Sequence, residues 1–219
     1  MSRAVLKFGG AVTASAARQV ADLSRQYEVV VVHGAGPQIT DEMARRGLAV
    51  EFVGGRRVTS AATLEVVEES LAAVNAELCA AIGALAYPLP DGVLEATLVP
   101  GLGFVGDPVP WASPRVVEAL VAGRIPVIAP LARGPLNVNG DDAAAALAVG
   151  LRAERLVFVT DVPGIWLEGK IAPAIAADVA SQLIDAGTFT DGIVPKLLAA
   201  ARAARRGIVT EIGETLVTA

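Results

Sequence analysis

Four short runs, "RAVLKF" (3–8), "EVVVVH" (28–33), "IPVIAP" (125–130) and "RLVFVT" (155–160), are apolar almost without interruption. A strand with one wet face would alternate apolar and polar side chains. Continuous apolar runs of strand length therefore predict strands buried on both faces. Between them, apolar residues recur every three or four positions over 15–27, 37–46 and 141–151, the spacing of helices with one face in a core. A longer helical stretch is expected from Thr59-Ser60 to about Ala84, with the Ser60 hydroxyl capping its first turn. Strands alternating with helices predict an α/β fold, an αβα sandwich around a central, mainly parallel sheet. Such sheets bind ligands at the carboxyl ends of their strands.

Residues 87–113, "YPLPDGVLEATLVPGLGFVGDPVPWAS", break this rhythm with five prolines and several glycines. They predict short strands and turns, a hairpin-rich excursion beside the N-terminal half. The run at 125–130 ends in Pro130. A single domain over 1–219 is expected, divided into an N-terminal lobe (1–132) and a C-terminal lobe (133–219).

Composition narrows the picture. The 219 residues are 53% hydrophobic, enough for a sizeable core. Much of that content is alanine, which favours closely packed helices. No apolar run reaches membrane-spanning length, and the chain enters its first strand at Arg3 without a signal-peptide pattern. No membrane partner is expected. A net charge of −5 and a pI near 5.0 set aside a nucleic-acid surface. The basic cluster "ARAARR" (201–206) reads as the exposed end of a helix. One cysteine, Cys79, leaves no disulfide framework and fits a reducing cytoplasm. It is expected to be a small buried hydrophobe.

The candidate chemistry starts from a scarcity. Of 18 basic residues only Lys7, Lys170 and Lys196 are lysine. Lysine offers a compact point charge where arginine offers a broad planar fork, and a compact charge suits a crowded site around phosphate oxygens. Lys7 and Lys196 lie in glycine-bearing turns, "KFGG" and "TDGIVPK". Four strand-to-helix junctions, "KFGGAVT" (7–13), "HGAGPQIT" (33–40), "NVNGDDAA" (137–144) and "TDVPGI" (160–165), carry glycine or small polar residues. In a parallel sheet they share one edge, where backbone N–H groups and helix N-termini make an anion site. None is a Walker A loop, and "HGAGPQ" lacks the third glycine of a dinucleotide fingerprint. His33, the only histidine, reads as a hydrogen-bonded structural residue. Asp142 reads as a solvated charge at a helix start, while Asp141 and Asp161 follow strands at the active edge. Arg56-Arg57 are placed to clamp a carboxylate bidentately.

In order along the chain, "KFGG", "HGAGP", "FVGGRRVT", "PLNVNGDDAAAALA", "RLVFVTDVPGI" and "TDGIVPK" resemble the motifs of acetylglutamate kinases of the amino-acid kinase family. The resemblance covers nearly the whole length. It implies the amino-acid kinase fold and phosphoryl transfer from ATP to the γ-carboxylate of N-acetyl-L-glutamate, a step in arginine synthesis. It implies that Lys7 and Lys196 contact the transferring phosphoryl from two sides and that Asp141 holds both lysines. Ala35, Gly36, Arg57 and Asn137 would bind the amino-acid substrate. Gly9, Gly10, Gly34, Asp161, Val162, Gly164, Ile165, Trp166, Thr188 and Thr190 would bind ATP. Mg²⁺ is expected to arrive on the nucleotide, with no metal site of the protein's own.

Ala35 stands where the family usually has glycine, 87–113 is shorter than usual, and no helix is expected between the last strands after Arg206. The resemblance also implies a homodimer formed through the helix after Ser60. With the first strand at Arg3, no N-terminal helix is left to build an arginine-sensitive hexamer. Two other readings are a kinase for carrier-bound aminoadipate, whose substrate loop usually differs from "GRRVT", and a catalytically weak regulatory relative, against which the intact lysines count.

Overall fold

The computed structural model of the protein describes residues 1–9, 14–160, 162–189 and 192–219. Its first half runs β1 (Arg3–Phe8), α1 (Ala14–Leu23), β2 (Glu28–His33), α2 (Gly36–Arg45), β3 (Phe52–Val53), β4 (Arg56–Arg57), α3 (Ala61–Ile82), β5 (Ala86–Leu89), β6 (Ala96–Leu98), β7 (Val105–Pro108), α4 (Pro114–Val121) and β8 (Ile125–Ile128). The second half runs β9 (Leu131–Ala132), β10 (Leu136–Val138), α5 (Gly140–Gly150), β11 (Arg155–Val159), β12 (Trp166–Leu167), β13 (Lys170–Ile171), β14 (Ala174–Ala176), α6 (Ala177–Asp185), α7 (Ile193–Ala204), β15 (Val209–Ile212) and β16 (Thr215–Thr218).

The main sheet has eight strands in the order β14-β16-β15-β11-β1-β2-β8-β5. From β15 to β5 all neighbours are parallel, while β16 turns back antiparallel to β15 and carries β14 with it. β15 and β16 are joined through Glu214 and Gly213, so no helix intervenes, as expected. A smaller sheet, β6-β7-β10-β9, stands beside the main one and supplies the hairpin expected in 87–113. The start of that segment behaves differently. Tyr87, Pro88 and Leu89 belong to β5, the edge strand of the main sheet, paired with β8. An edge is where a strand tolerates proline, because its outward N–H has no ladder partner. The Arg124 guanidinium reaches over the same edge to the carbonyl of Ala86 at 2.7 Å.

The continuous apolar strands are buried as the pattern requires. Side chains alternate across β1, so Val5 packs with α5 and α7 on one face, while Leu6 and Phe8 pack with α1 and α3 on the other. Lys7 has the parity of Val5 and so points toward α5, where the only buried charges of that helix lie. α5 and α7 meet through alanines, Ala143–Ala146 and Ala148 against Ala199–Ala201, Ala203 and Ala204, all buried. Their small side chains let the two helices approach closely.

Ser60 caps α3 by accepting from the Thr63 N–H at 3.1 Å, and Gly83, with φ 85°, ends it. α1 stops at Leu23, short of Tyr27, because Ser24–Gln26 turn the chain into β2. Among the described residues no helix is long and apolar enough to cross a membrane.

Candidate active site

The carboxyl ends of β1, β2 and β10 and the N-termini of α2 and α5 converge on one cleft of about 520 Å³. Its walls include Lys7, Gly34, Ala35, Gly36, Arg57, Asn137 and Asp141. α2 opens with Pro37, whose missing N–H is no loss in a first turn. Ala35 sits at φ −142° and ψ 29°, a conformation open to any residue. The alanine in place of the family's glycine therefore imposes no backbone strain.

Asp141 is the hub of the chemistry. Its Oδ1 accepts from the Lys7 ammonium at 2.9 Å and from the Lys196 ammonium at 3.1 Å. Lys196 arrives on α7 and also lies over the Phe158 ring, 5.3 Å from its centroid. Burial pushes the Asp141 carboxyl up, but the charges of Lys7 and Lys196 outweigh it and hold it below its ordinary value. The carboxylate thus stays ionised well into acid and keeps two cations aimed at one point. Asp141 itself is placed by Asn139. The Asn139 side chain caps α5, its Oδ1 accepting from the N–H groups of Asp141 at 2.8 Å and Asp142 at 3.2 Å.

Arg57 occupies the far wall. It is only 7% exposed. Its guanidinium donates to Thr40 Oγ1 at 2.8 Å and to the Gly36 carbonyl at 3.3 Å, and lies 4.6 Å from the Phe52 ring centroid. No carboxylate pairs with it among the described residues. Burial pulls its pKa down. Asn137 faces the same space from β10, its amide donating to Thr59 Oγ1 at 3.0 Å.

Of the residues expected at the nucleotide, Gly34 lines this cleft, while the other described ones form a second group outside its walls. β11 is the parallel neighbour of β1, so the loop after it opens on the same edge as Gly9. In that loop Val162 and Trp166 are exposed. Ile165 is not: its side chain is in the core, and its N–H donates to Thr215 Oγ1 at 2.8 Å. Gly164 packs against Ile171 and Thr215. Thr188 follows α6 in the approach to α7. Gly10, Asp161 and Thr190 lie outside the described residues.

Asp142, the basic cluster and Cys79 differ from the expectations. Asp142 is not a solvated charge: it is 8% exposed and pairs with Arg56 at 3.3 Å and with Arg202. The basic cluster on α7 is accordingly not just an exposed helix end, since Arg202 is committed to Asp142 and Arg205 to Asp178 at 2.8 Å. Burial lifts the Asp142 carboxyl more than Arg202 and Arg56 lower it, so its pKa is raised. Cys79 is half-buried, its thiol 3.7 Å from Asn75 Oδ1. His33 is structural as expected, completely buried and bonded to Asn75 Nδ2 at 3.0 Å. The sequence reading missed Asn139, although an Asn directly before a Gly-Asp-Asp helix start is an N-cap signal.

Residues 2–213 match the amino acid kinase family. Acetylglutamate kinase of Rubrobacter xylanophilus is 41% identical over 227 residues, an alignment covering 97% of this chain and 88% of the relative. Acetylglutamate kinase of Jannaschia sp. is 42% identical over 229 residues, covering 93% and 79%. Among solved structures, a Streptococcus mutans UA159 protein matches with a TM-score of 0.85 at 27% identity over 98% of each chain. Carbamate kinase from Giardia lamblia matches with a TM-score of 0.72 at 15% identity, covering 99% of this chain and 98% of that one, a likeness of fold alone. With its ordered motifs, its parallel sheet and two lysines on one aspartate, this chain belongs to the amino acid kinase family and, within it, to the acetylglutamate kinases.

Proposed function

We propose that the protein transfers the γ-phosphoryl group of ATP to the γ-carboxylate of N-acetyl-L-glutamate, giving ADP and N-acetylglutamyl 5-phosphate for arginine biosynthesis. The observation that carries this reading is Arg57. A buried guanidinium without a carboxylate partner among the described residues is costly unless a ligand supplies the anion. Arg57 shares its cleft with Lys7, so a substrate carboxylate held at one end presents its other end to the lysines.

The roles follow. Arg57 and Asn137 hold the α-carboxylate end, and the backbone of Ala35 and Gly36 meets the remaining polar groups. Lys7 and Lys196 neutralise charge on the phosphoryl as it moves from one oxygen to the other. Phosphoryl transfer asks mainly for alignment and charge neutralisation, and Asp141 fixes both ammoniums for that task. Gly9, Gly34 and the loops at 161–166 and 188–190 take the nucleotide. Mg²⁺ carried by the nucleotide would add charge neutralisation at the phosphates. Among the described residues no three His, Cys, Asp or Glu side chains converge to hold a metal themselves. The lobe formed by 1–132 then binds the amino acid and that formed by 133–219 the nucleotide. A homodimer built on α3 and working in the cytoplasm completes the reading.

The test is ADP release from ATP with N-acetylglutamate, glutamate and aminoadipate side by side. N-acetylglutamate is expected to give the highest kcat/KM, and a preference for either of the others overturns the assignment. Arg57→Ala is expected to raise the KM for N-acetylglutamate about a hundredfold, as for loss of a charge-assisted pair, with the KM for ATP within about twofold of normal. Weakened ATP binding with normal substrate binding would place Arg57 in the wrong pocket.

A further inference from the structure

We propose that Asp142 is a positioning residue that latches the β3–β4 hairpin and α7 to one point, so that Arg57 and Lys196 reach the substrates in register. The proposal rests on the kinase reading above. Asp142 follows Asp141 in the first turn of α5, yet its carboxylate serves different partners. Oδ1 takes Arg202 of α7, and Oδ2 takes Arg56 of β4 at 3.3 Å. Arg56 also pairs with Asp107 of β7. The charges alternate along Asp107, Arg56, Asp142 and Arg202, and the network crosses four elements.

Each partner neighbours a residue of the site. Arg56 precedes Arg57, Asp142 follows Asp141, and Arg202 rides on the helix that carries Lys196. Two further contacts draw the hairpin to the same place. Asn139 Nδ2 donates to the Gly55 carbonyl at 3.1 Å. Gly55 has φ +76°, and a Cβ there would stand 2.4 Å from Cγ of Pro195, the residue before Lys196. The hairpin turn is therefore seated on the first turn of α7.

A carboxylate this buried commits its partners more firmly than a surface ion pair does, because losing either one leaves a charge without compensation. The pair borders a cavity of about 320 Å³ walled by Asp107, Asp142 and Arg202, and the Arg202 side chain is half exposed there. Asp142 touches no reacting atom; it acts through Arg56 and Arg202.

The experiment is steady-state kinetics and melting of Asp142→Asn, Arg202→Gln, Arg202→Lys and the Asp142→Asn/Arg202→Gln double variant. Each of Asp142→Asn and Arg202→Gln is expected to lower kcat/KM for N-acetylglutamate on the order of tenfold, the scale for misplacing a substrate-holding group. The double variant is expected to be no worse than Asp142→Asn, because the pair that Arg202→Gln breaks is already lost in Asp142→Asn. Arg202→Lys is expected to keep at least half of the activity, whereas Arg202→Gln is expected to melt below the parent, because it leaves the buried Asp142 carboxylate short of one partner. Parent-like kcat/KM in Arg202→Gln, or losses that multiply in the double variant, overturns the proposal. If Asp142→Asn does not fold, the contrast between Arg202→Gln and Arg202→Lys decides it. A parent protein inactive on N-acetylglutamate overturns the kinase reading. An active parent with unaffected variants overturns the latch alone.

Discussion

Lys7→Arg and Lys196→Arg are each expected to cut turnover about a hundredfold, the cost of losing one charge contact in the transition state, whereas Lys170→Arg is expected to stay within about twofold. Both ammoniums converge on a single oxygen of Asp141, at 2.9 and 3.1 Å. A spherical ammonium can share that oxygen and still aim a proton at a phosphoryl group on its other side. A guanidinium is flat and wide, and would have to take both carboxylate oxygens or displace its neighbour. Gly140 tightens the space further, since a Cβ there would lie 3.4 Å from Lys7 Cε. Lys170 sits on the exposed β12–β13 hairpin and meets none of this. Asp141→Asn is expected to lose at least as much as either lysine variant, because an amide leaves two crowded cations unbalanced. Rates of ADP release at saturating substrates, with melting curves alongside, check all four. Near-normal turnover in Lys7→Arg would remove the mechanism.

The second large effect is on stability. His33 ends β2, and its pKa is lowered from 6.5 to about 4, chiefly by burial, which the hydrogen bond to the Gly34 carbonyl opposes and the charge of Lys7 reinforces. The bond to Asn75 says why the ring must stay neutral. The Asn75 amide nitrogen spends one hydrogen on the Val127 carbonyl at 2.9 Å and the other on His33 Nε2 at 3.0 Å. Nε2 is therefore the acceptor, and protonating it would set two donors against each other. The unfolded chain takes up this proton near pH 6.5 and the folded one only near pH 4. Stability therefore falls as the pH drops through that window, by about 3 kcal/mol in total. Urea unfolding at pH 7 and pH 4.5 should show most of this loss in the parent protein and a smaller change in His33→Gln. Asp141, held low, loses its contribution at still lower pH, and Asp142, held high, changes stability in the opposite sense. Both are common to the two proteins and drop out of the difference. Equal slopes for parent and variant would contradict the assignment.

What was legible in the sequence depended on the range of the interaction. β1, β2, β8 and β11 could be read because burial on both faces writes itself into consecutive residues. The cap at Ser60 and the turn at Pro37 are local as well. The lysines stood out because arginine replaces lysine almost everywhere else. Asp142 was misread for the opposite reason. Its partners Arg56 and Arg202 are distant in sequence, and nothing near Asp142 distinguishes a buried, doubly paired carboxylate from a solvated one that suits a helix start. The role of Ile165 as a core residue was hidden in the same way, since its partner Thr215 comes from β16. The edge position of β5 was masked by the prolines around it, which read as turn chemistry until the sheet supplied a neighbour on one side only.

That edge has a consequence for how the protein behaves in company. The carbonyls of Leu85 and Leu89 face inward, accepting from Ile125 of β8 and from Ala129 just after it, so the alternate residues Ala86 and Pro88 turn their backbone outward. An exposed row of such groups is a template on which another chain can add a strand. Here the Ala86 carbonyl is taken by Arg124, and Pro88 has no N–H to offer. Crowded molecules that meet at this face must therefore associate through side chains, and this edge of the sheet is protected against growing from one molecule into the next.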